Sequence, residues 1–339
     1  MMRKAGSLVV ALAVAAGAAG CAPRSSLGTL ESPPTGTAST AHEAIPLPPG
    51  ALLDGAGKQP SAKFVPHGLD WEGSLRPRET TQDEPGDPAL ERIRQRGRLV
   101  VGVEQSQYLL SYRDMVRGQL RGFEVELAQE IARDLLGDPE AVDFRFVDSA
   151  SRAELLQKGR VDVVIRTMSI TPERAAKVAF STPYLKSQVR VLAPDDRGIT
   201  SMDDLPERTV CVVDGTTLLH IVRTLAPQSP VLRTRSWSDC LMATQQFQAD
   251  AIIADDAILA GMIAQDPHTD ILPDALATQY YAVGIPLGND SVVRQVNATI
   301  ERIRADGTWR RMFQEWLSDS TTDPYPPPLM YREEPNEHE

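Results

Sequence analysis

Three cysteines and five histidines in 339 residues leave little from which to build a metal centre or a cysteine-bridged scaffold. The chain also holds no Gly-x-Ser-x-Gly, no His-Glu-x-x-His and no Cys-x-x-Cys, so common signatures of serine hydrolases, zinc proteases and dithiol redox proteins are missing. Positive charge is in deficit as well: 35 Lys and Arg stand against 46 Asp and Glu, a formal net charge of −11. A nucleic-acid binder clusters Lys and Arg to neutralise phosphates, whereas here the basic residues are scattered among more numerous acids. No cofactor, metal or nucleic-acid partner is expected. What remains is length enough for two modest lobes with proper cores, once the ends are set aside.

The ends read as non-globular. Residues 1–20 begin with Arg3 and Lys4, continue through the apolar run Leu8–Ala16 and finish in small residues. That is the pattern of a secretory signal peptide, too short and too rich in Ala and Gly for a lasting membrane anchor. Its end, Ala18-Ala19-Gly20-Cys21, resembles the bacterial lipobox, with Ala18 departing from the usual Leu. The resemblance implies a lipid on Cys21 and hence an extracytoplasmic protein anchored to the bacterial cell membrane. Ordinary cleavage, with Cys21 left as a thiol, is the other reading. With Cys21 set apart, Cys211 and Cys240 are an even pair in an oxidising compartment. Either they form a disulfide or they are two separately buried thiols. Residues 22–87, rich in Pro, Gly, Ser and Thr, predict a disordered tether, with Val65–Trp71 as its one apolar interruption. The Pro-rich, acidic residues 319–339 predict a tail or a strap across the surface.

Between these ends, strand and helix patterns alternate, which argues for parallel α/β units. Leu99–Val103 reads as a buried strand, and Phe123, Leu127, Ile131 and Leu135 recur at helical spacing. The most informative stretch is Arg166-Thr-Met-Ser-Ile-Thr-Pro-Glu-Arg174. A short β-branched strand ending at Ile165 runs into a helix start, with Thr171 as N-cap and Pro172 at the first helical position. A cation in that first turn opposes the helix macrodipole. Arg174 therefore needs an anion beside it, either an Asp or Glu of the chain or a ligand carboxylate. Thr167, Ser169 and Arg174 fall at the carboxyl end of a strand, where open α/β sheets hold ligands.

Taken in order, these segments resemble the family 3 extracellular solute-binding proteins, the polar amino-acid receptors of bacterial ABC importers. The motifs are Gly97-Arg-Leu-Val-Val-Gly-Val103, Gly122-Phe-Glu-Val-Glu-Leu127, the Arg152…Asp162 series, Thr171-Pro-Glu-Arg174, Phe180-Ser-Thr-Pro-Tyr184, Gly215-Thr-Thr217, Ala249-Asp-Ala251 and Asp306-Gly-Thr-Trp309. They span Leu90 to Leu317. The N-terminal extension and lipobox resemble those of actinobacterial glutamine-binding lipoproteins. The resemblance implies a periplasmic-binding-protein-like type II α/β fold. Lobe 1 would be 88–184 plus 282–318 and lobe 2 would be 185–281, joined by a two-strand hinge with a ligand cleft between them. It implies a receptor rather than an enzyme, closing on aspartate, glutamate, asparagine or glutamine. Such a receptor would be a monomer serving an ABC permease or a membrane sensor protein. A secreted dehydratase-like enzyme on the same fold, acting on a carboxylic acid, is the alternative.

The same mapping gives residues their roles. Arg174, assisted by Ser169, takes the ligand α-carboxylate. Asp255, at the end of the strand Ala251–Ala254, takes the α-ammonium, because an ammonium out of water needs an anionic partner. Asp255 or Asp256 as a plain helix N-cap is the competing reading. Thr216 and Thr217 complete the carboxylate cage or only cap their helix. Arg166 departs from the family pattern: a second cation at the cleft mouth suits an acidic side chain, and a surface ion pair is its bland equivalent. Glu104 would accept a ligand amide or ammonium, and Tyr108 is either the remaining cleft aromatic or a core residue. These substitutions point to aspartate, glutamate or asparagine ahead of glutamine.

Overall fold

Apolar runs set the two sheets, and the computed structural model, which describes residues 45–58, 69–78, 88–320 and 322–334, shows how they are joined. Cys21, the signal segment and 65–68 of the apolar interruption lie outside the described residues. Strand β1 (Leu52–Asp54) comes first. The first lobe then runs α1 (Pro88–Arg96), β2 (Leu99–Val103), β3 (Ser106–Gln107), β4 (Ser111–Asp114), β5 (Gln119–Arg121), α2 (Phe123–Leu136) and β6 (Val142–Phe146). It continues with α3 (Arg152–Gln157), β7 (Val163–Val164), α4 (Pro172–Ala175) and β8 (Ala179–Phe180). The second lobe holds β9 (Leu185–Pro194), β10 (Val210–Val213), α5 (Leu218–Leu225), β11 (Val231–Thr234) and α6 (Trp237–Gln245). Its remaining elements are β12 (Ala251–Asp255), α7 (Asp256–Ile263), β13 (Thr269–Ile271) and β14 (Ala277–Tyr281). The chain returns to the first lobe for β15 (Gly284–Ile285), α8 (Asp290–Ala305) and α9 (Thr308–Trp316).

The first lobe is built on a five-stranded sheet of order β6-β2-β7-β15-β8. β2, apolar and buried along its whole length, runs parallel to β6 and β7. The Phe123, Leu127, Ile131 and Leu135 stripe of α2 is buried as its spacing predicts. The second lobe has a seven-stranded sheet in which β11, β10 and β12 are parallel and β9 is antiparallel to β12, β13 and β14. β9 and β14, paired from Leu185↔Tyr281 to Val189↔Ala277, are the two strands that cross between the lobes. In the second lobe Cys211 of β10 and Cys240 of α6, both fully buried, form a disulfide with Cα atoms 5.6 Å apart.

The lobes touch where side chains are absent. A Cβ on Gly215 would lie 2.6 Å from Ala150 Cα, and one on Gly261 would lie 2.5 Å from the Tyr108 carbonyl oxygen. Gly215 also has φ +72, a conformation that favours glycine.

The segment whose composition predicts a disordered tether is ordered in two stretches. β1 adds itself antiparallel to β11 at the edge of the second-lobe sheet, and buried Asp54 receives hydrogen bonds from Lys58 and Arg223, both at 2.5 Å. Burial works against that carboxylate, but the bonds from Lys58 and Arg223 hold it below the usual range. Further on, Leu75 enters the core of the first lobe, and Asn297 Nδ2 donates to Ser74 Oγ at 2.7 Å and to the Leu75 carbonyl at 2.6 Å. Leu69 and Trp71 pack on the same lobe. The C-terminal segment is a strap: Thr322 Oγ1 donates to Asp256 at 3.0 Å, Lys186 pairs with Asp323 at 3.2 Å, and Tyr331 forms a bridge with Ser74. Composition misses these stretches because one edge pairing and a few anchoring side chains leave a Pro- and Gly-rich average unchanged.

Two stability tests follow from these contacts. Replacing Cys211 and Cys240 together by Ala lowers the free energy of unfolding by about 3 kcal/mol in chemical denaturation. Asp54→Ala strips the anion from Lys58 and Arg223 and costs about 2 kcal/mol, the partial exposure of its partners keeping it below the cost of a fully buried pair. Protease cutting within 45–58 rises with it.

Candidate functional site

Thr171 caps the short helix α4 as its sequence predicts, its Oγ1 accepting the Arg174 N–H at 3.2 Å. The Arg174 side chain then turns into the cleft between the lobes. Its Nη1 donates to the Ser169 carbonyl at 2.8 Å, and its Nη2 reaches the second lobe to donate to the Gly215 carbonyl at 3.2 Å. No carboxylate of the described residues forms an ion pair with it. Burial draws its pKa down to about 10, with Asp255 the main influence opposing the shift.

Asp255 ends β12, the fully buried strand Ala-Ile-Ile-Ala-Asp. It stands at the N-cap position of α7 but makes no side-chain cap hydrogen bond. Its Oδ1 is buried without a hydrogen-bond partner. Burial pushes the carboxyl up to about 7, Asp256 adds to the rise, and Tyr281, Arg174 and Arg152 hold it back. Asp256, the other candidate cap, is tied to Ser187 and Thr322. Each of the two carboxyls keeps one buried oxygen without a hydrogen-bond partner, and Asp255 is the one that lines the cleft with Arg174.

The hydroxyls divide by lobe. Thr216 gives its hydroxyl to the Val213 carbonyl at 2.6 Å, a local turn contact. Thr217 Oγ1 accepts from Gln279 Nε2 at 2.8 Å, and Ser169 donates to Gln279 Oε1. Gln279, on the crossing strand β14, thus ties a hydroxyl of each lobe to one amide. Thr167 adopts φ +40, a strained conformation for a β-branched residue. Its N–H donates to Glu124 Oε1 at 2.6 Å, and the Tyr184 hydroxyl donates to the same oxygen at 2.6 Å. Burial pushes the Glu124 carboxyl above its ordinary range, with the Tyr184 bond opposing.

Thr167, Ser169, Arg174, Thr216, Thr217 and Asp255 line one cleft, together with Arg152, Leu218, Trp237 and Ile258. Arg166, Glu104 and Tyr108 are not in its wall. Arg166 is wholly buried, its guanidinium bonded to Glu104 and to Ser149 Oγ. The ends of the neighbouring strands β2 and β7 bring these two charges together, so the cation that the sequence places at the cleft mouth is neutralised inside the first lobe. Tyr108 stacks obliquely on Tyr112, ring centroids 4.7 Å apart, and borders an adjoining cavity.

Sequence reasoning missed Arg152, Trp237 and Gln279. Arg152 is buried and donates to the Arg166 carbonyl at 3.1 Å, while burial, then Arg174 and Arg166, lower its pKa well below the ordinary value. The signal was present in a charged residue opening an otherwise ordinary amphipathic segment. Trp237 and Gln279 carried none beyond their residue type.

Comparison with known proteins agrees with this geometry. Residues 99–319 match the profile of the bacterial extracellular solute-binding proteins, family 3. The ABC transporter glutamine-binding protein of Bacillus subtilis strain 168 is 27% identical over 235 residues, covering 69% of this chain and 86% of its own length. The glutamate-binding protein of Corynebacterium efficiens is 31% identical over 252 residues, covering 70% and 84%. Among solved structures, the L-cysteine solute receptor of Neisseria gonorrhoeae superposes with a TM-score of 0.64 at 28% identity, covering 67% of this chain and 93% of that one. The fold is the type II arrangement of amino-acid-binding receptors, and the chain acts as a solute receptor and not as an enzyme, which removes the dehydratase alternative. The chain belongs to the family 3 bacterial extracellular solute-binding proteins.

Proposed function

We propose that this protein is an extracytoplasmic receptor that clamps a polar or acidic amino acid, aspartate, glutamate, asparagine or glutamine, between its lobes. The observation that carries the reading is the buried, unpartnered Asp255 Oδ1 in the same cleft as a guanidinium bonded only to carbonyls. In this reading the ligand α-carboxylate meets Arg174 and the hydroxyls of Ser169 and Thr217. The α-ammonium meets Asp255. Each charge leaving water then finds an opposite one. Thr167 shapes the floor through its strained backbone, held by Glu124, and Thr216 braces the turn that carries Thr217.

Closure pivots on β9 and β14 and presents the joined lobes to a membrane partner. The names of the relatives favour a permease of an ABC importer over a membrane sensor. A lipid on Cys21 would hold the receptor at the cell membrane as a monomer.

Thermal unfolding against a panel of amino acids tests the reading. A ligand at a hundred times its Kd stabilises the folded state by about 2.7 kcal/mol. Arg174→Ala removes the partner of a desolvated carboxylate, for which about 2–5 kcal/mol of binding energy, 30-fold or more in Kd, is expected to vanish. Equal affinity in the variant would sink the assignment.

Asp255 adds a pH dependence. Its pKa in the folded protein is raised to about 7, so the protonated form is favoured by burial and that share of stability is lost as pH rises through 7. An ammonium needs the ionised form. Affinity therefore falls as pH drops below 7, by up to about tenfold per unit, and binding at pH 6 releases on the order of one proton. Calorimetry in buffers of different ionisation enthalpy measures that proton, and Asp255→Asn abolishes it.

A further inference from the structure

A cavity of about 150 Å³ lies on the first lobe and shares no lining residue with the cleft. Val178 and Phe180, on the run from α4 into β8, line it together with Leu287 and Val293 at the approach to α8 and within it. Trp71 and Leu75 of the N-terminal segment complete the apolar wall, Trp71 standing edge-on to Phe180 with ring centroids 6.4 Å apart. The C-terminal strap contributes Arg332. The two outer segments are locked together beside the cavity: the Arg332 N–H donates to the Ser74 carbonyl at 2.9 Å, and a Cβ on Gly73, whose φ is +105, would lie 2.6 Å from the Arg332 nitrogen. Both segments fall outside residues 99–319, so the cavity is completed by what this chain adds to the family fold.

Its chemistry differs between interior and rim. Ser74, the buried polar side chain of the lining, is fully engaged, donating to the Phe180 carbonyl and accepting from Asn297 Nδ2, both at 2.7 Å. A polar group pushed inside would find no side-chain partner. A benzene-sized apolar group would fit, since apolar cavities of about this volume hold one. The two charged lining residues, Asp290 at the start of α8 and Arg332, are exposed, and neither forms an ion pair among the described residues. An apolar socket thus carries one free carboxylate and one free guanidinium at its solvent side.

We propose that this cavity is a second ligand site, for a free amino acid with a branched aliphatic or aromatic side chain. The side chain fills the apolar interior, where removal of its surface from water supplies most of the affinity. The α-ammonium meets Asp290 and the α-carboxylate meets Arg332, exposed pairs that add less and mainly orient the ligand. A hydrocarbon leaves both charges unanswered, a fatty acid sets its carboxylate against Asp290, and an amine sets its ammonium against Arg332. A side-chain amide or carboxylate, as proposed for the ligand of the cleft, would lose its hydration here without replacement. The two sites therefore select different amino acids, and this one needs neither Arg174 nor Asp255.

The test is calorimetric titration of the full chain with L-leucine and L-phenylalanine, and with isocaproate and isoamylamine, which keep the isobutyl group of leucine and lose one charge each. Leucine and phenylalanine are expected to bind saturably, both in the native protein and in Arg174→Ala. Ala179→Phe places a ring of the ligand's own size in the cavity from its half-buried β8 position and should abolish that binding. Asp290→Asn should weaken leucine and isoamylamine by about two- to fivefold and leave isocaproate unchanged. Arg332→Gln should weaken leucine and isocaproate to the same degree and leave isoamylamine unchanged. These two exposed substitutions carry the test if Ala179→Phe fails to fold. No saturable binding of leucine or phenylalanine, or binding that Arg174→Ala abolishes and Ala179→Phe does not, overturns the site and leaves the reading of the cleft standing. Equal affinity for leucine and isocaproate overturns the assignment of an amino acid.

Discussion

An amino acid leaves water only if its two opposite charges are met by two others, and that constraint organises the cleft. Arg174 and Asp255 come from different lobes and different sheets, and each keeps bonding capacity in hand: the guanidinium donates only to carbonyls, and one carboxylate oxygen has no hydrogen-bond partner. Their mutual influence is visible in their pKa shifts, each opposing the other's desolvation. If they paired directly, as surface charges do, the site would be satisfied without a ligand and closure would need none. Held apart by the turns after β7 and β12, they leave the cleft with opposite charges that are incompletely bonded.

The surroundings serve that separation. Thr167 is held in a left-handed conformation by a hydrogen bond to Glu124, and such strain persists only where the surroundings over-determine it. Glu124 is wholly buried and shares its oxygen with Tyr184, the last residue before β9. The segment that carries Ser169 and Arg174 is thereby fixed to the root of the hinge. Gln279, on the other crossing strand, links Ser169 to Thr217. Both strands that must flex thus have a polar tie to the site that closes.

Much of this was legible in sequence because it is local. The Thr171-Pro172 start of α4, the apolar β2 and β12, and the carboxylate at the end of β12 all follow from propensity, capping and position on a strand. The partner of Arg166 was not legible. A cation after a strand reads the same whether it faces solvent, a ligand or Glu104 62 residues away, and only the parallel register of β2 beside β7 decides. The ordered pieces of the N-terminal segment escaped for a related reason. Asp54 earns its place through Arg223 and Arg233, contributed by α5 and β11, which no window around residue 54 contains.

The extra segments bear on how that closure reverses. Both lie outside the 99–319 span shared with the family. The N-terminal piece is fastened to the second lobe through β1 and to the first through Leu75 and Ser74. The C-terminal strap touches Asp256 and Lys186 close to the pivot, where a hinge rotation moves atoms least. Opening must instead break the contacts across the cleft, and among the described residues those are few: Arg174 to Gly215, Ser238 to Ser106, Ser169 to Gln279, and the close approaches at Gly215 and Gly261. A handful of hydrogen bonds, each contributing about 1 kcal/mol net, is a bias small enough for the binding of a ligand in the cleft to overcome. Occupancy can therefore be read out as shape.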